Sequence, residues 1–215
     1  MTISRYQKWW SYLWPVPIVT RHSELAGYLE VRLENGKLVI NGSNSNYSEG
    51  EVAQLWYYAL RYFKLPQNLK LPVLMLGYGA GSLVPILRKL GIAQPITAVE
   101  WDGEVLRLAQ EYFTPMLHQV QLIREDALEF IKDPSQKYAL ILIDLFIDNR
   151  VPPEFLGEDF IKNVRKSLAS GGSVYHNVML NKEQEQALVR LYQRYFTEVR
   201  TFYKYENNLV IEARG

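Results

Sequence analysis

The pattern of hydrophobic and polar positions divides the chain near residue 50. Before that point the period is two. Residues 27–33 (GYLEVRL) set Tyr28, Glu30 and Arg32 against Leu29, Val31 and Leu33, the alternation of a half-buried strand. Glu34-Asn35-Gly36-Lys37 follows, and Asn-Gly between alternating runs predicts a hairpin because both residues tolerate positive φ. Leu38-Val39-Ile40 is the return strand, and residues 42–50 read as a polar loop rich in Asn and Ser.

After residue 50 short apolar runs alternate with helical periodicity. Strands are expected over 71–76, 95–99, 120–123, 138–143 and 173–178. The run 138–143 (YALILI) is apolar throughout, as a parallel strand covered on both faces must be. Helices are expected over 51–63, 82–90, 102–113, 127–131 and 183–196. Pro85 is tolerated in the first turn of the second of these. Phe160, Ile161, Val164 and Leu168 mark one more helix, ended by Gly171-Gly172. Runs 199–205 and 209–212, joined at Asn207-Asn208, form a closing hairpin. The fold class is α/β: a Rossmann-like, doubly wound, mostly parallel seven-stranded sheet with an antiparallel C-terminal hairpin, plus a small N-terminal β unit. The domain division is 1–50 for an aromatic arm and β unit, and 51–215 for the Rossmann-like part.

Composition narrows the chemistry. The 215 residues carry a formal charge of +1 and no cysteine. Thiolate catalysis, disulfides, iron–sulfur clusters and Cys-ligated zinc are excluded. The three histidines, His22, His118 and His176, lie far apart in sequence, so no metal site is expected. Near-neutral charge argues against nucleic acid as a partner. The longest uncharged stretch near the N-terminus, residues 9–20, is too short for a membrane span and is a poor signal peptide, with Pro15 and Pro17 inside it. Cytoplasmic localisation is the default expectation. Trp9, Trp10, Tyr12 and Trp14 suit a protein interface or packing on the chain's own sheet, both ahead of a membrane surface. Lys162, Arg165 and Lys166 read as a solvated helix face.

Four stretches carry candidate chemistry. In VLMLGYGAGS (73–82) an apolar strand runs into Gly77-Tyr78-Gly79-Ala80-Gly81 and then a helix. Glycines there let main chain approach a ligand, and the helix start offers free N–H groups. The spacing is GxGxG; a dinucleotide fingerprint needs glycine at 82, where Ser82 stands, which disfavours a nicotinamide dehydrogenase. Glu100 ends the second core strand, 19 residues after Gly81, where an acid can accept from both ribose hydroxyls; its register with the glycine loop favours that reading over a solvated strand-end acid. Asp102 reads as a helix N-cap. Asp126-Ala127 follows the third core strand; Asp126 suits an adenine amino group, and equally a capping box with Glu129. Asp144 follows YALILI, at the sheet edge where open α/β folds hold ligands. It fits a general base with a raised pKa, or a structural acid satisfied by backbone N–H groups. His176 and Asn177 end the fifth core strand and are candidates for the same cleft, with a structural histidine preferred. Trp56, Tyr57 and Tyr58 are candidates for an acceptor-pocket roof or for helix core.

Strand–GYGAG–helix, VEWD, REDALEF and ILIDLF together resemble the S-adenosylmethionine-dependent transferases, and more closely the spermidine synthase (polyamine aminopropyltransferase) superfamily. The resemblance covers about residues 28–180, including LENGKLVING and PPEFLGEDFIKNVRKSLASGG. It implies that Gly77, Tyr78, Gly79 and Gly81 meet the methionine part of S-adenosylmethionine or its decarboxylated form. Glu100 would meet the ribose, Asp126 and Ala127 the adenine, and Asp144 would be catalytic. It also suggests a homodimer. The synthases typically read GGGDG, with an aspartate holding the donor's amine; here that place is Ala80. The second acid of their Asp-x-x-Asp-Pro motif falls on Ile147, with Asp148 one place off, and their DExxYHE-like segment is replaced by EVAQLWYYA. A diamine needs carboxylates at both ends. The expectation is therefore a methyltransferase acting on a small-molecule acceptor, with a divergent aminopropyltransferase and a catalytically silent binding or scaffold protein as alternatives.

Overall fold

A computed structural model of the chain describes residues 3–42, 51–66, 69–113, 119–147, 150–205 and 208–215. The polar loop read over 42–50 lies outside the described residues beyond Gly42, as do His118, Asp148 and Asn207.

The N-terminal unit is a three-stranded antiparallel sheet, β1 (Val16–Ser23), β2 (Gly27–Glu34) and β3 (Lys37–Gly42), in that order. The Asn-Gly turn is as expected: Asn35 and Gly36 have φ of 49° and 77°. β1 was not foreseen. Pro15 just before it, Pro17 inside it and a run without alternation hide it, and it is a half-exposed edge strand, where proline is tolerated. A short helix, α1 (Arg5–Trp10), precedes it, with Ser4 and Gln7 forming a capping box and no buried residue. Trp9, Trp10, Tyr12 and Trp14 are all exposed, yet Tyr12 lies against Gly36 of the β2–β3 turn, and Ser11 accepts from the Asn35 and Gly36 N–H groups, so the arm is seated on the small sheet while the tryptophans stay in solvent.

The core sheet has seven strands in the order β6-β5-β4-β7-β8-β10-β9. These are β4 (Val73–Leu76), β5 (Ile96–Glu100), β6 (Val120–Arg124), β7 (Tyr138–Ile143), β8 (Leu168–Met179), β9 (Glu198–Tyr205) and β10 (Asn208–Arg214). β4 to β8 pair in parallel; β10 is antiparallel to both β8 and β9. All four residues of β4 and all six of β7 are buried, because helices cover both faces. One face carries α2 (Glu51–Phe63), α3 (Leu83–Lys89) and α4 (Gly103–Tyr112) over Val73, Met75, Leu140 and Leu142. The other carries α5 (Ala127–Lys132), α6 (Glu158–Ser167) and α7 (Lys182–Tyr195) over Leu74, Leu76, Ile141 and Ile143. Each fully buried aliphatic side chain contributes about 1.5–3 kcal/mol. A third apolar cluster joins the two units: Leu29, Val31 and Ile40 of the small sheet meet Ala80 and, on α4, Val105 and Leu108.

One boundary differs from expectation. Gly171-Gly172 does not end a helix; α6 stops at Ser167 and the glycines lie inside β8, whose pairing with β7 shifts register after Tyr138↔Leu168. Gly171, with φ of 72°, donates its N–H to the carbonyl of Gly215 at 2.9 Å, so the glycines serve a strand irregularity. Nor is the basic group on α6 only a solvated face: Arg165 donates to the Tyr195 carbonyl at 3.2 Å and lies over Phe196.

The C-terminal hairpin anchors α2. Glu212 is 1% exposed and accepts from Arg200 Nε at 2.6 Å, Arg214 Nη2 at 2.9 Å and Tyr175 Oη at 2.9 Å. The same two guanidiniums donate to the carbonyl of Phe63, at 3.1 Å and 3.4 Å, where the last helical carbonyls lack partners of their own. Both guanidiniums stay about a third exposed and also face Glu198, so losing the Glu212 charge weakens their hydrogen bonds without stranding a buried cation. Glu212→Gln is expected to lower stability by about 1–2 kcal/mol, read as a lower urea midpoint at unchanged m-value.

Candidate functional site

The site lies at the carboxyl ends of β4, β5, β6 and β7. β4 stops at Leu76 and the chain turns through Gly77, Gly79 and Gly81, with φ of 85°, 55° and 77°. Gly77 is required by the protein's own backbone: a Cβ there would meet the carbonyl oxygen of Asp144 at the end of β7. Gly81 is required by Tyr78, whose ring folds against it. Tyr78 is buried in the α2–α3 cluster, and its hydroxyl finds no hydrogen-bond partner among the described residues. Burial pushes its pKa up to about 12. Ala80 is fully buried in the cluster between the two units, so apolar packing occupies the place where the resemblance puts an acid.

Glu100 is tied to this loop. Its Oε2 accepts from the Gly79 N–H at 3.0 Å and its Oε1 from the Asp102 N–H at 3.0 Å. Burial raises its pKa, and those backbone donors oppose the rise. It is therefore a fixed carboxylate rather than a freely solvated strand-end acid. Asp102 is the expected N-cap: its Oδ1 accepts from Glu104 and Val105 N–H at 2.9 Å and 3.3 Å. Its Oδ2 takes a short hydrogen bond from Ser23 Oγ of the small sheet. Asp126 caps α5 through the Leu128 N–H at 2.7 Å; Glu129 turns to Lys132 instead of completing a capping box.

A partly enclosed cavity of ≈130 Å³ brings these groups together. Gly77, Glu100, Asp126 and Ala127 line it, with Trp101 and Phe146 as aromatic walls. Leu25 and Ala26, from the β1–β2 turn, also line it, so the small sheet contributes to the site. Tyr78, Gly79, Gly81 and Asp144 are not among its lining residues; Asp144 lies just outside it, between the lining residue Gly77, which its carbonyl touches, and the lining residue Leu145. A larger, more open concavity of ≈660 Å³ sits at the opposite edge of the sheet, lined mainly by neutral residues such as Pro72, Gln94 and Gln121. It lacks convergent titratable groups, which makes the smaller cavity the better candidate.

Asp144 stands beside the glycine turn and is satisfied by side chains, not by backbone. Trp56 Nε1 donates to Oδ2 at 3.0 Å and Asn177 Nδ2 to Oδ1 at 2.8 Å. Burial raises its pKa and both donors pull it back. Of the roof-or-core candidates, Trp56 is helix core: it is fully buried among the side chains of α2 and α3, while Tyr58 is half exposed and Tyr57 engages Arg61 and Lys89, so the three do not form a common wall. His176 does not share the cleft. Neighbouring strand residues face opposite ways, and His176 lies on the α6–α7 face, bonded through Nδ1 to Tyr192 Oη at 2.9 Å. Among the described residues no group of three or more His, Asp or Glu side chains is placed to hold a metal ion, and no helix is long and apolar enough to cross a membrane.

Residues 64–207 match the spermine/spermidine synthase domain. The chain belongs to that family. It is 27% identical over 134 residues to a polyamine aminopropyltransferase of Vibrio vulnificus, covering 60% of this chain and 45% of that protein. The chain spans about half the length of the curated relatives it matches. A probable spermidine synthase of Corynebacterium glutamicum superposes with a TM-score of 0.73 at 18% identity, over 92% of this chain and 79% of that one. Human methyltransferase-like protein 13, solved in complex with SAH, superposes with a TM-score of 0.58 at 20% identity, over 76% and 78%. The family carries a transferase fold of the S-adenosylmethionine type.

Burial holds His176 neutral, with its pKa pushed down to about 3. The unfolded chain then binds a proton that the folded chain refuses, so stability falls as pH drops from about 6.5 toward 3. His176→Leu is expected to flatten that slope by up to ~1.4 kcal/mol per pH unit, measured by urea denaturation at stepped pH.

Proposed function

We propose that this chain is a transferase that binds a sulfonium nucleoside of the S-adenosylmethionine type in the crevice at the ends of β4, β5 and β6, and delivers a carbon substituent to a small acceptor beside Asp144. The observation that carries this reading is Glu100. Its carboxylate is fixed at the cavity wall by backbone N–H groups, one of them from the glycine turn, with acceptor capacity left over for a ligand's hydroxyls. A ribose offers a pair of such donors. Asp126 and Ala127, on the same cavity, are placed for an adenine edge, and Trp101 and Phe146 for its faces. Gly77 borders the cavity with bare main chain toward the donor's tail.

Bound there, the donor supplies an electrophilic carbon on a positively charged sulfur. The protein's part is alignment and proton handling. Asp144, with its raised pKa, accepts the proton that an acceptor nucleophile loses. The β1–β2 turn, tied to α4 by the Ser23–Asp102 hydrogen bond, supplies Leu25 and Ala26 as apolar cover on that side of the cavity.

The relatives' names, polyamine aminopropyltransferase, favour aminopropyl transfer ahead of the methyl transfer expected from the sequence, and decarboxylated S-adenosylmethionine is the donor such a transfer would use. Methyl transfer stays as a second reading because of one observation: apolar packing at Ala80 leaves no carboxylate there for the aminopropyl ammonium.

Calorimetric titration separates these. Methylthioadenosine is expected to bind, and Glu100→Gln to weaken it about 10- to 100-fold, the worth of a lost hydrogen bond to a charged group. Decarboxylated S-adenosylmethionine binding more tightly than the intact compound supports the aminopropyl reading, and the reverse order supports methyl transfer. No binding by any of these nucleosides overturns the proposal.

A further inference from the structure

We propose that Trp56 and Asn177 are positioning residues that hold the Asp144 carboxylate ionised and aimed, each gripping one of its two oxygens. This rests on the transferase reading and deepens it, since it says what makes a buried acid usable as a base.

Three separate elements build the arrangement. α2 brings Trp56, β8 brings Asn177, and Asp144 follows β7; the pairs are 88 and 33 residues apart in sequence. Both donors have sound geometry, at 3.0 Å and 2.8 Å. Trp56 and Asn177 are 0% and 1% exposed, so neither donor has water as an alternative partner. α2 is itself fixed at its far end by Arg200 and Arg214 on the Phe63 carbonyl, two helical turns beyond Trp56. The indole is therefore held from both sides.

Burial works against the ionised form of Asp144, and the two N–H donors work for it. No charged neighbour contributes to the balance. β4, β7 and β8 contain no Asp, Glu, Lys or Arg. His176 faces the other side of the sheet, Arg61 of α2 is bonded to Tyr57, and Tyr78 of the glycine turn stays protonated to about pH 12. Two donors occupy two of roughly four acceptor sites on a carboxylate, which leaves sites for an acceptor N–H. Indole and primary amide donors are neutral, so they stabilise the anion without competing as cations for the acceptor's place.

The test follows the indole ¹H–¹⁵N resonance of Trp56, identified by its loss in Trp56→Phe, between about pH 4 and pH 8. In the wild-type chain it is expected to titrate with one inflection above the ordinary aspartate range. Asp144→Asn abolishes the inflection. Asn177→Leu, or Asn177→Ser should the first not fold, moves it up by about one pH unit, and Asn177→Gln restores part of the shift. If the Asn177 amide did not stabilise the Asp144 anion, the inflection would stay in place. A Trp56 resonance that does not titrate, or an inflection unmoved in the Asn177 variants, overturns the proposal. Methylthioadenosine titrated into the wild-type sample keeps the two questions apart: no binding sinks the transferase reading, while the titration still decides what holds Asp144.

Discussion

The closest constraint in the molecule is the contact between the ends of β4 and β7. The two strands run in parallel register from Val73↔Leu140 to Leu76↔Ile143, and the Asp144 N–H then donates to the Leu76 carbonyl at 2.8 Å. The ladder thus continues one residue past β7, and the Asp144 carbonyl comes to lie against Gly77. Any side chain at 77 would push the strand ends apart. Everything that gathers at this edge depends on that approach: the glycine turn reaches Glu100, and Asp144 reaches both Trp56 and Asn177. Glycine at 77 therefore answers to the chain's own packing before it answers to any ligand.

The edge also shows how carboxylates are kept in a low-dielectric place. Glu100 and Asp144 both have pKa values raised by burial, and both have N–H donors on each of their two oxygens. The donors differ in origin. Those of Glu100 are backbone groups of the turn and of the next helix entry, so its position is set by local chain geometry. Those of Asp144 are side chains from distant elements, so its position depends on how α2 and β8 pack. Glu100 suits a role in binding, which needs a rigid acceptor. Asp144 suits proton handling, where the balance between burial and donors sets the affinity for a proton.

The small N-terminal sheet is part of the same construction. Its apolar face meets α4 and Ala80, its Ser23 bonds the cap of α4, and its β1–β2 turn places Leu25 and Ala26 on the cavity. The division near residue 50 is real as a change of pattern, yet the cavity is built from both sides of it. The tryptophans of the preceding arm stay outside this packing, exposed around α1.

The sequence by itself determined the layers. Alternation in 27–33, the unbroken apolar run YALILI and the helical stripes locate most strands and helices within a few residues, because burial on one or two faces writes a period into the chain. It also located the edge that carries Glu100, Asp126 and Asp144, since loops after parallel strands must emerge there. It missed β1, where proline and exposure erase the period, and it misread Gly171-Gly172, because a strand irregularity and a helix stop both call for glycine. Which groups touch was decided only by tertiary structure. Nothing local pairs Trp56 or Asn177 with Asp144, or brings Ala26 to the crevice. Those contacts join residues far apart along the chain, and they are fixed by the packing of whole elements rather than by the preference of any one segment.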